Sequence, residues 1–389
     1  MSSLSNPCAI NLARAKQADM TFRQTLHQLA ELSNQEHQTA AFVAQKLKLC
    51  NPTALLTAIG GTGIVAIWKG EKAGKSICFR AELDALPIEE ANDFAHQSLT
   101  KGVSHKCGHD GHMAILLEVA AYLKENRPTA GNVILLFQPA EEIGAGALQV
   151  LEDERFKALS IDYIFALHNL PHYPLHQVVV RKGIFATASV GICITLEGKT
   201  AHAGEPENGI NPVLALSELA TFLYTIHKTT PHQDFVLSTV VHARLGEKSF
   251  GVSPAKAEVC ATFRSYSNED LAQLCLHAEE KAKALALQHH LLYKISYIEK
   301  FSATQNSDMG TKAIQEVATK LGLESVEKKE PFRWSEDFGQ FTQRYQGAMF
   351  GLGAGLHSAE LHQADYDFPD ALIKTGSDIF IGLLPHFLG

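Results

Sequence analysis

The sequence predicts an α/β fold interrupted by a smaller α+β unit. Three observations carry this. The chain has 389 residues, more than the roughly 250–300 that a single core accommodates, so two domains are expected. Apolar runs of strand length alternate with helical patterns over the first 170 or so residues, the order of an α/β sheet. From 187 to 300 the pattern changes to β-α-β-β-α, the order of a small α+β sandwich. The expected division is therefore residues 1–186 with 301–389 as one domain and 187–300 as an insertion.

In order along the chain, residues 22–49 carry Phe22, Leu26, Leu29, Phe42, Val43 and Leu47 at helical spacing, with Asn51-Pro52 as the stop. Ile64–Trp68 and Ser76–Leu83 read as strands around a glycine turn at 70–74. From His112 to Asn126, Met113, Leu116, Leu117, Ala120 and Leu123 form one helical face that Arg127-Pro128 closes. Asn132–Gln138 and Tyr163–Leu167 are apolar enough to be buried strands. In the insertion, Ala188–Glu197, Phe235–Leu245 and Ala257–Tyr266 read as strands, and Pro212–His227 and Asn268–Gln288 as helices. Thr311–Leu321 returns as a helix and Ala348–Leu352 as a strand.

Composition narrows the function classes. A formal net charge of −8 argues against nucleic acid as a partner. No run of about 18 apolar residues predicts a membrane span. Residues 1–20 are polar and lack the apolar core of a signal peptide, so a cytoplasmic location is expected. The seven cysteines are odd in number and irregularly spaced, so no disulfide framework is expected.

The chemistry concentrates in two clusters. His105-Lys-Cys107-Gly-His109-Asp-Gly-His112 offers a thiolate and imidazoles, and Glu141-Glu142 follows an apolar strand and Pro139. Thiolate, imidazole and carboxylate are the side chains that bind transition-metal ions. The bland readings are a buried cysteine beside a loop histidine, and a solvated acidic turn. Against the second, an acidic pair at the end of a buried strand calls for a neutralising cation. One glutamate then binds metal while the other moves a proton. Glu141-Glu142 and His168 each follow a strand, and sites of open α/β sheets lie beyond the carboxyl ends of their strands. His168, His357 and His362, taken singly, are as readily packing histidines as ligands, and His202 as readily a turn residue.

Eight stretches in family order resemble the M20 metallopeptidase family, in its amidohydrolase branch of aminoacylase-like, hippurate-hydrolase-like and auxin-conjugate hydrolases. They are LHQLAELSNQEHQTA (26–40), FRAELDALPI (79–88), HKCGHDGHMA (105–114), FQPAEE (137–142), ALHNLP (166–171), GKTAHAG (198–204), SEDF (335–338) and LHQADYDF (361–368). The resemblance implies a mixed-sheet metallohydrolase domain with an inserted lid and dimerisation domain. It implies two divalent metal ions held by Cys107, His109, Glu142, His168 and His362. Glu141 would be the general base and acid, and Asp84 would orient a ligand from behind. His202 would meet the substrate from the insertion, commonly across a dimer contact, with Asn211 and Arg264 nearby. A thiolate favours zinc, cobalt or nickel, and the remaining donors also admit manganese. Departures from the pattern include Glu82 in place of aspartate, Ile143-Gly-Ala in place of a glycine run, and Phe250-Gly-Val-Ser-Pro254 in place of an asparagine-containing stretch. His172, His176 and Gln177 likewise replace a glycine-rich loop.

The implied reaction is hydrolysis of an N-acyl amino acid to a carboxylic acid and a free amino acid, by a homodimer joined through the insertion. Two alternatives stand beside it: a dipeptidase or aminopeptidase, which needs an acidic group for a free α-amine, and a non-catalytic ligand-binding protein on the same fold.

Overall fold

The computed structural model describes residues 21–388; the polar segment 1–20, on which the location expectation rests, lies outside them. The chain forms two compact units. The first contains residues up to Phe185, Thr304–Glu330 and Asp337 onward; the second contains Ala186–Ala303 and Pro331–Glu336.

The first unit opens with α1 (Phe22–Gln28), α2 (His37–Leu49), β1 (Ala54–Ile59), β2 (Gly63–Lys69), β3 (Lys72–Glu82), α3 (His109–Glu125) and β4 (Ala130–Gln138). It continues through α4 (Gly146–Glu152), α5 (Glu154–Lys157), β5 (Tyr163–Leu170), β6 (Val178–Val180) and β7 (Gly183–Ala186). The intervening elements of the second unit are β8 (Ala188–Glu197), β9 (Ala201–His202), α6 (Val213–Thr229), β10 (Val236–Leu245), β11 (Val252–Ser253), β12 (Lys256–Ser265), α7 (Asn268–Gln288) and β13 (Leu292–Phe301). The chain returns with β14 (Thr304–Asn306), α8 (Asp308–Lys320), β15 (Ser325–Glu327), α9 (Gly339–Thr342), β16 (Gln346–Gly353) and α10 (Ala371–Leu388).

Eight strands of the first unit form one mixed sheet in the order β1-β2-β4-β3-β5-β16-β6-β15. Its centre is parallel: β3 pairs β4 and β5, and β5 pairs β16, so their carboxyl ends lie on one edge. These strands are buried along most of their length, as strands covered on both faces must be. α3, α8 and α10 contribute Leu116, Leu123, Ile314, Val317, Ile379 and Phe380 to the same core. α10 has the length and hydropathy of a membrane span. It nevertheless buries Leu372, Ile379, Phe380 and Leu383 against the core, which accounts for its apolar character.

In the second unit the four-stranded sheet runs β10-β12-β8-β13. The alternating burial along β8 and β12 turns Ile192, Ile194, Val259 and Ala261 inward. α6 buries Ala215, Leu219, Leu223 and Ile226, and α7 buries Leu271, Leu274, Ala278 and Leu285.

Three expectations are corrected. The helical stretch 22–49 is two helices, because Asn34 takes φ 64 and Leu32 bridges Ala85 between them. His168 lies inside β5, not after it. Among the cysteines, Cys193 and Cys260 form a disulfide. They stand directly opposite on β8 and β12, with Cα atoms 4.1 Å apart. Sequence spacing carries no information about strand register, and register is what makes this pair.

Candidate metal centre

The carboxyl edge of the parallel strands gathers the candidate residues. Asp84 comes two residues after β3, Glu141 and Glu142 follow β4, and His168 is near the end of β5. Cys107 precedes α3 and His109 is its first residue. Gly108, between them, has φ 93, and a Cβ there would lie 2.6 Å from the Asn169 side chain. Only glycine meets both constraints, so the loop brings Cys107 and His109 close to the strand ends.

Each side chain is aimed by a partner. His109 Nδ1 is 2.8 Å from the Asp84 carbonyl, leaving Nε2 facing the acidic pair at 4.0 Å from Glu141 Oε2 and 3.8 Å from Glu142 Oε1. That Nε2 is buried and has no hydrogen-bond partner among the described residues. His168 Nδ1 lies 2.9 Å from the Asn169 carbonyl, and its Nε2 is 3.5 Å from Cys107 Sγ. His362 Nε2 is 3.8 Å from Glu142 Oε2. The His362 amide donates to the Lys106 carbonyl, and the residue is held at φ 66. Among the described residues, donor atoms within 4.8 Å of one another include those of Cys107 with His109 and His168, Cys107 with Glu142 and His362, His109 with Glu141 and Glu142, and Glu82 with His109 and His112.

Charge explains why this arrangement suits a cation. Burial disfavours the His109 imidazolium, but the hydrogen bond to Asp84 and the charges of Glu82, Glu142 and Asp84 outweigh it and raise the group to about 10. The carboxylates thus draw positive charge to this spot. Burial, helped by nearby His112, pushes His168 down to about 3, leaving a neutral imidazole able to bind metal. An unpartnered buried ring nitrogen, a thiol, a neutral imidazole and two carboxylates on one wall fit divalent metal ions.

A supporting layer surrounds these groups. Asp84 Oδ2 accepts hydrogen bonds from Ser33 Oγ (2.7 Å) and the Glu142 amide (3.0 Å). His112 is fully used, with Nδ1 2.7 Å from Glu82 and Nε2 2.6 Å from Asn169 Oδ1. Arg80, wholly buried, donates to Glu82, to Gln138 Oε1 (2.8 Å) and to Asp337 Oδ1 (2.6 Å). The Asp337 amide in turn donates to Glu141 Oε1 at 3.3 Å. His105 is buried without a hydrogen-bond partner among the described residues, and burial pushes it down to about 3. His357 is exposed. Sequence reading did not single out Arg80, Asn169, Asp337 or Glu36 individually, although all four lie within quoted motifs. Arg80 meets Gln138 and Asp337 across 58 and 257 residues of chain, Asn169 meets His112 across 57 and Glu36 meets Ala140 across 104, which no local pattern reveals.

The remaining candidates belong to the second unit. His202 is exposed on β9, where its Nδ1 accepts from the Gly204 amide at 3.0 Å. Asn211 donates to Ser253 Oγ (3.1 Å) and accepts the Val213 amide at the start of α6. Arg264 donates to the Arg333 carbonyl (3.0 Å) and Ser335 Oγ (2.9 Å), both within its own unit.

The chain is 34% identical over 378 residues to the N-acetyl-L-cysteine deacetylase of Bacillus subtilis, covering 95% of this chain and 88% of the relative. It is 31% identical over 370 residues to the hippurate hydrolase of Campylobacter jejuni, covering 94% and 95%. The crystal structure of a dinuclear metal-binding M20 peptidase from Bacillus subtilis matches with a TM-score of 0.78 at 26% identity, over 96% of this chain and 97% of that one. The family model for peptidase family M20/M25/M40 matches residues 78–386. With most of its length so matched, the chain belongs to peptidase family M20/M25/M40.

Proposed function

We propose that this chain is a metal-dependent amidohydrolase that cleaves the amide bond of N-acyl amino acids, yielding a carboxylic acid and a free amino acid. The observation that carries the reading is the position of Glu141. Its carboxylate lies among the donor atoms with His109 and Glu142, with the Asp337 amide donating to Oε1 and Oε2 lying 4.0 Å from His109 Nε2. The deacetylase and hippurate hydrolase relatives act, by their names, on N-acyl amino acids.

Cys107, His109, Glu142, His168 and His362 hold two divalent metal ions, manganese or zinc, with cobalt and nickel also suited to the donor set. When bound, such ions supply Lewis acidity toward a carbonyl oxygen and acidify water. Glu141 accepts the proton of the attacking water and returns it to the leaving amine. Asp84 fixes the tautomer and aim of His109. His202, on the second unit, offers its imidazole to the developing oxyanion.

The second unit serves as lid and dimerisation domain. Its β10 is an edge strand, with Val241 exposed, and Leu214 and Tyr224 are exposed on α6. An uncovered edge beside exposed apolar side chains favours pairing with a second copy. The test is amino-acid release from N-acetyl and N-benzoyl amino acids and from free dipeptides, using protein stripped by chelator and reloaded with each metal. Metal-dependent cleavage of the blocked substrates is expected; cleavage of dipeptides alone overturns the reading in favour of a peptidase.

A further inference from the structure

Glu36 is a fully buried carboxylate more than a hundred residues from the Glu141-Glu142 pair in sequence, and none of the roles above uses it. It ends the turn between α1 and α2, at the N-terminal boundary of α2. Its Oε1 accepts the amides of Asn34 (3.0 Å) and Ala140 (2.8 Å), and its Oε2 accepts the Thr62 hydroxyl (2.7 Å).

Ala140 immediately precedes Glu141 and has φ 49. An L-residue rarely occupies this region, and it stays there only where its surroundings hold it. Three hydrogen bonds do so. Glu36 takes the Ala140 amide, and the Ala140 carbonyl accepts the amides of Ala145 (3.3 Å) and Gly146 (3.0 Å). A Cβ on Gly146 would lie 1.6 Å from the Pro139 carbonyl oxygen, so the turn closes too tightly for any other residue. On the far side of Glu141, the Glu142 amide is taken by Asp84 and the Ala147 amide by Asp337 Oδ2 (2.9 Å). The short segment bearing both glutamates is therefore anchored by three buried carboxylates drawn from three distant parts of the chain.

We infer that Glu36 is a positioning residue for catalysis: by holding the Ala140 amide it keeps the backbone in the left-handed turn that aims Glu141. The inference rests on Glu141 being the general base. Of the three anchors, Glu36 is the one whose bonded partner is the strained residue itself, and it contacts none of the proposed metal ligands in any hydrogen bond described. Its loss lets Ala140 relax and swings the following carboxylate, while the donor atoms of the metal centre keep their own supports.

The experiment compares four variants for kcat, KM and bound metal. Glu36→Ala is expected to lower kcat by about 10- to 100-fold, the range for a reacting group misplaced by about 1 Å, with KM and metal content within twofold of the parent. Glu36→Gln restores kcat to within about threefold, because its carbonyl oxygen can accept both amides and its amide can donate to Thr62. Glu36→Ala combined with Ala140→Gly regains much of the lost kcat, since glycine adopts a positive φ without being forced. Glu141→Gln is the reference. If it keeps full turnover, the general-base reading falls. If it is inactive while Glu36→Ala keeps the parent kcat, the positioning role alone is overturned. A loss in Glu36→Ala that appears equally in metal content, or that glutamine fails to restore, likewise overturns it. Should Glu36→Ala not fold, Thr62→Val carries the test. Losing the Oε2 anchor is expected to lower kcat at least threefold at unchanged metal content, and an unchanged kcat refutes the role.

Discussion

Replacing Glu141 by glutamine separates proton transfer from metal binding. The amide is nearly isosteric, and its oxygen can still accept the Asp337 amide that now reaches Glu141 Oε1 at 3.3 Å, so the side chain stays in place. Removing a general base typically lowers turnover by about 10²–10⁴-fold, equivalent to about 2.7–5.4 kcal/mol of barrier. The substitution also removes a negative charge 4.0 Å from His109 Nε2. At that distance a unit charge contributes between about 1 kcal/mol in water and about 4 kcal/mol at an effective dielectric of 20. Metal affinity therefore weakens as well, and the assay has to be run with metal saturating. Under those conditions Glu141→Gln is expected to bind the full complement of metal and turn over at least 10²-fold more slowly. Glu142→Gln, which removes a donor close to both His109 Nε2 and His362 Nε2, is expected to lose metal first. Metal stoichiometry by elemental analysis, measured beside kcat on the same samples, decides the matter. If Glu141→Gln loses metal and Glu142→Gln keeps it, the two roles have been assigned the wrong way round.

Three further outcomes are expected. His202→Ala lowers kcat with metal content unchanged, and undiminished turnover would remove His202 from the reaction. Arg80→Met leaves Glu82 and Asp337 buried without their shared cation, which lowers the stability of the first unit by about 3–5 kcal/mol; a loss below about 1 kcal/mol in urea unfolding contradicts this. His27 is raised to about 9: burial disfavours its charge, but hydrogen bonds to Asp110 and Glu90 outweigh that. Because the folded value exceeds the ordinary 6.5, the stability it contributes is complete below about pH 6.5 and is lost as pH rises through 9. His27→Asn should therefore flatten the dependence of the urea midpoint on pH between 6.5 and 9, and an unchanged slope would refute the charged form.

Much of the first unit was legible because its signals are local. The apolar runs of β4 and β5 and the amphipathic face of α3 are each contained in one stretch of sequence. The placement of Glu141, Glu142 and His168 at one sheet edge followed from strand order alone. What stayed hidden depends on register or distance. β1 is a short edge strand whose run ALLTAI does not alternate apolar with polar, so no strand period marks it. β13 is an exposed edge strand with little alternation. The disulfide needed the pairing of Cys193 opposite Cys260. Glu36 bonds to Ala140 across 104 residues, and Arg80 to Asp337 across 257. Glu82, visible in sequence only as a departure from the expected aspartate, proves to link Arg80 to His112, and from there to Asn169 beside His168.

These buried links explain how a polar site can be rigid within an apolar core. A carboxylate taken out of water is destabilised unless hydrogen bonds and opposite charge replace its solvation. Glu36, Asp84 and Asp337 obtain part of that replacement from backbone amides of the segment 140–147. The same bonds that satisfy the carboxylates therefore fix the segment, including the left-handed Ala140. His362 follows a similar pattern: it sits at φ 66 with its amide bound to the Lys106 carbonyl, one residue before Cys107. Both departures from ordinary backbone occur at or next to residues that face the metal centre, and each is tied to a distant segment. The strain is sustained by tertiary bonds, so substitutions in those distant segments, and not only in the donor set, are where activity is expected to be lost while the fold and the metal remain.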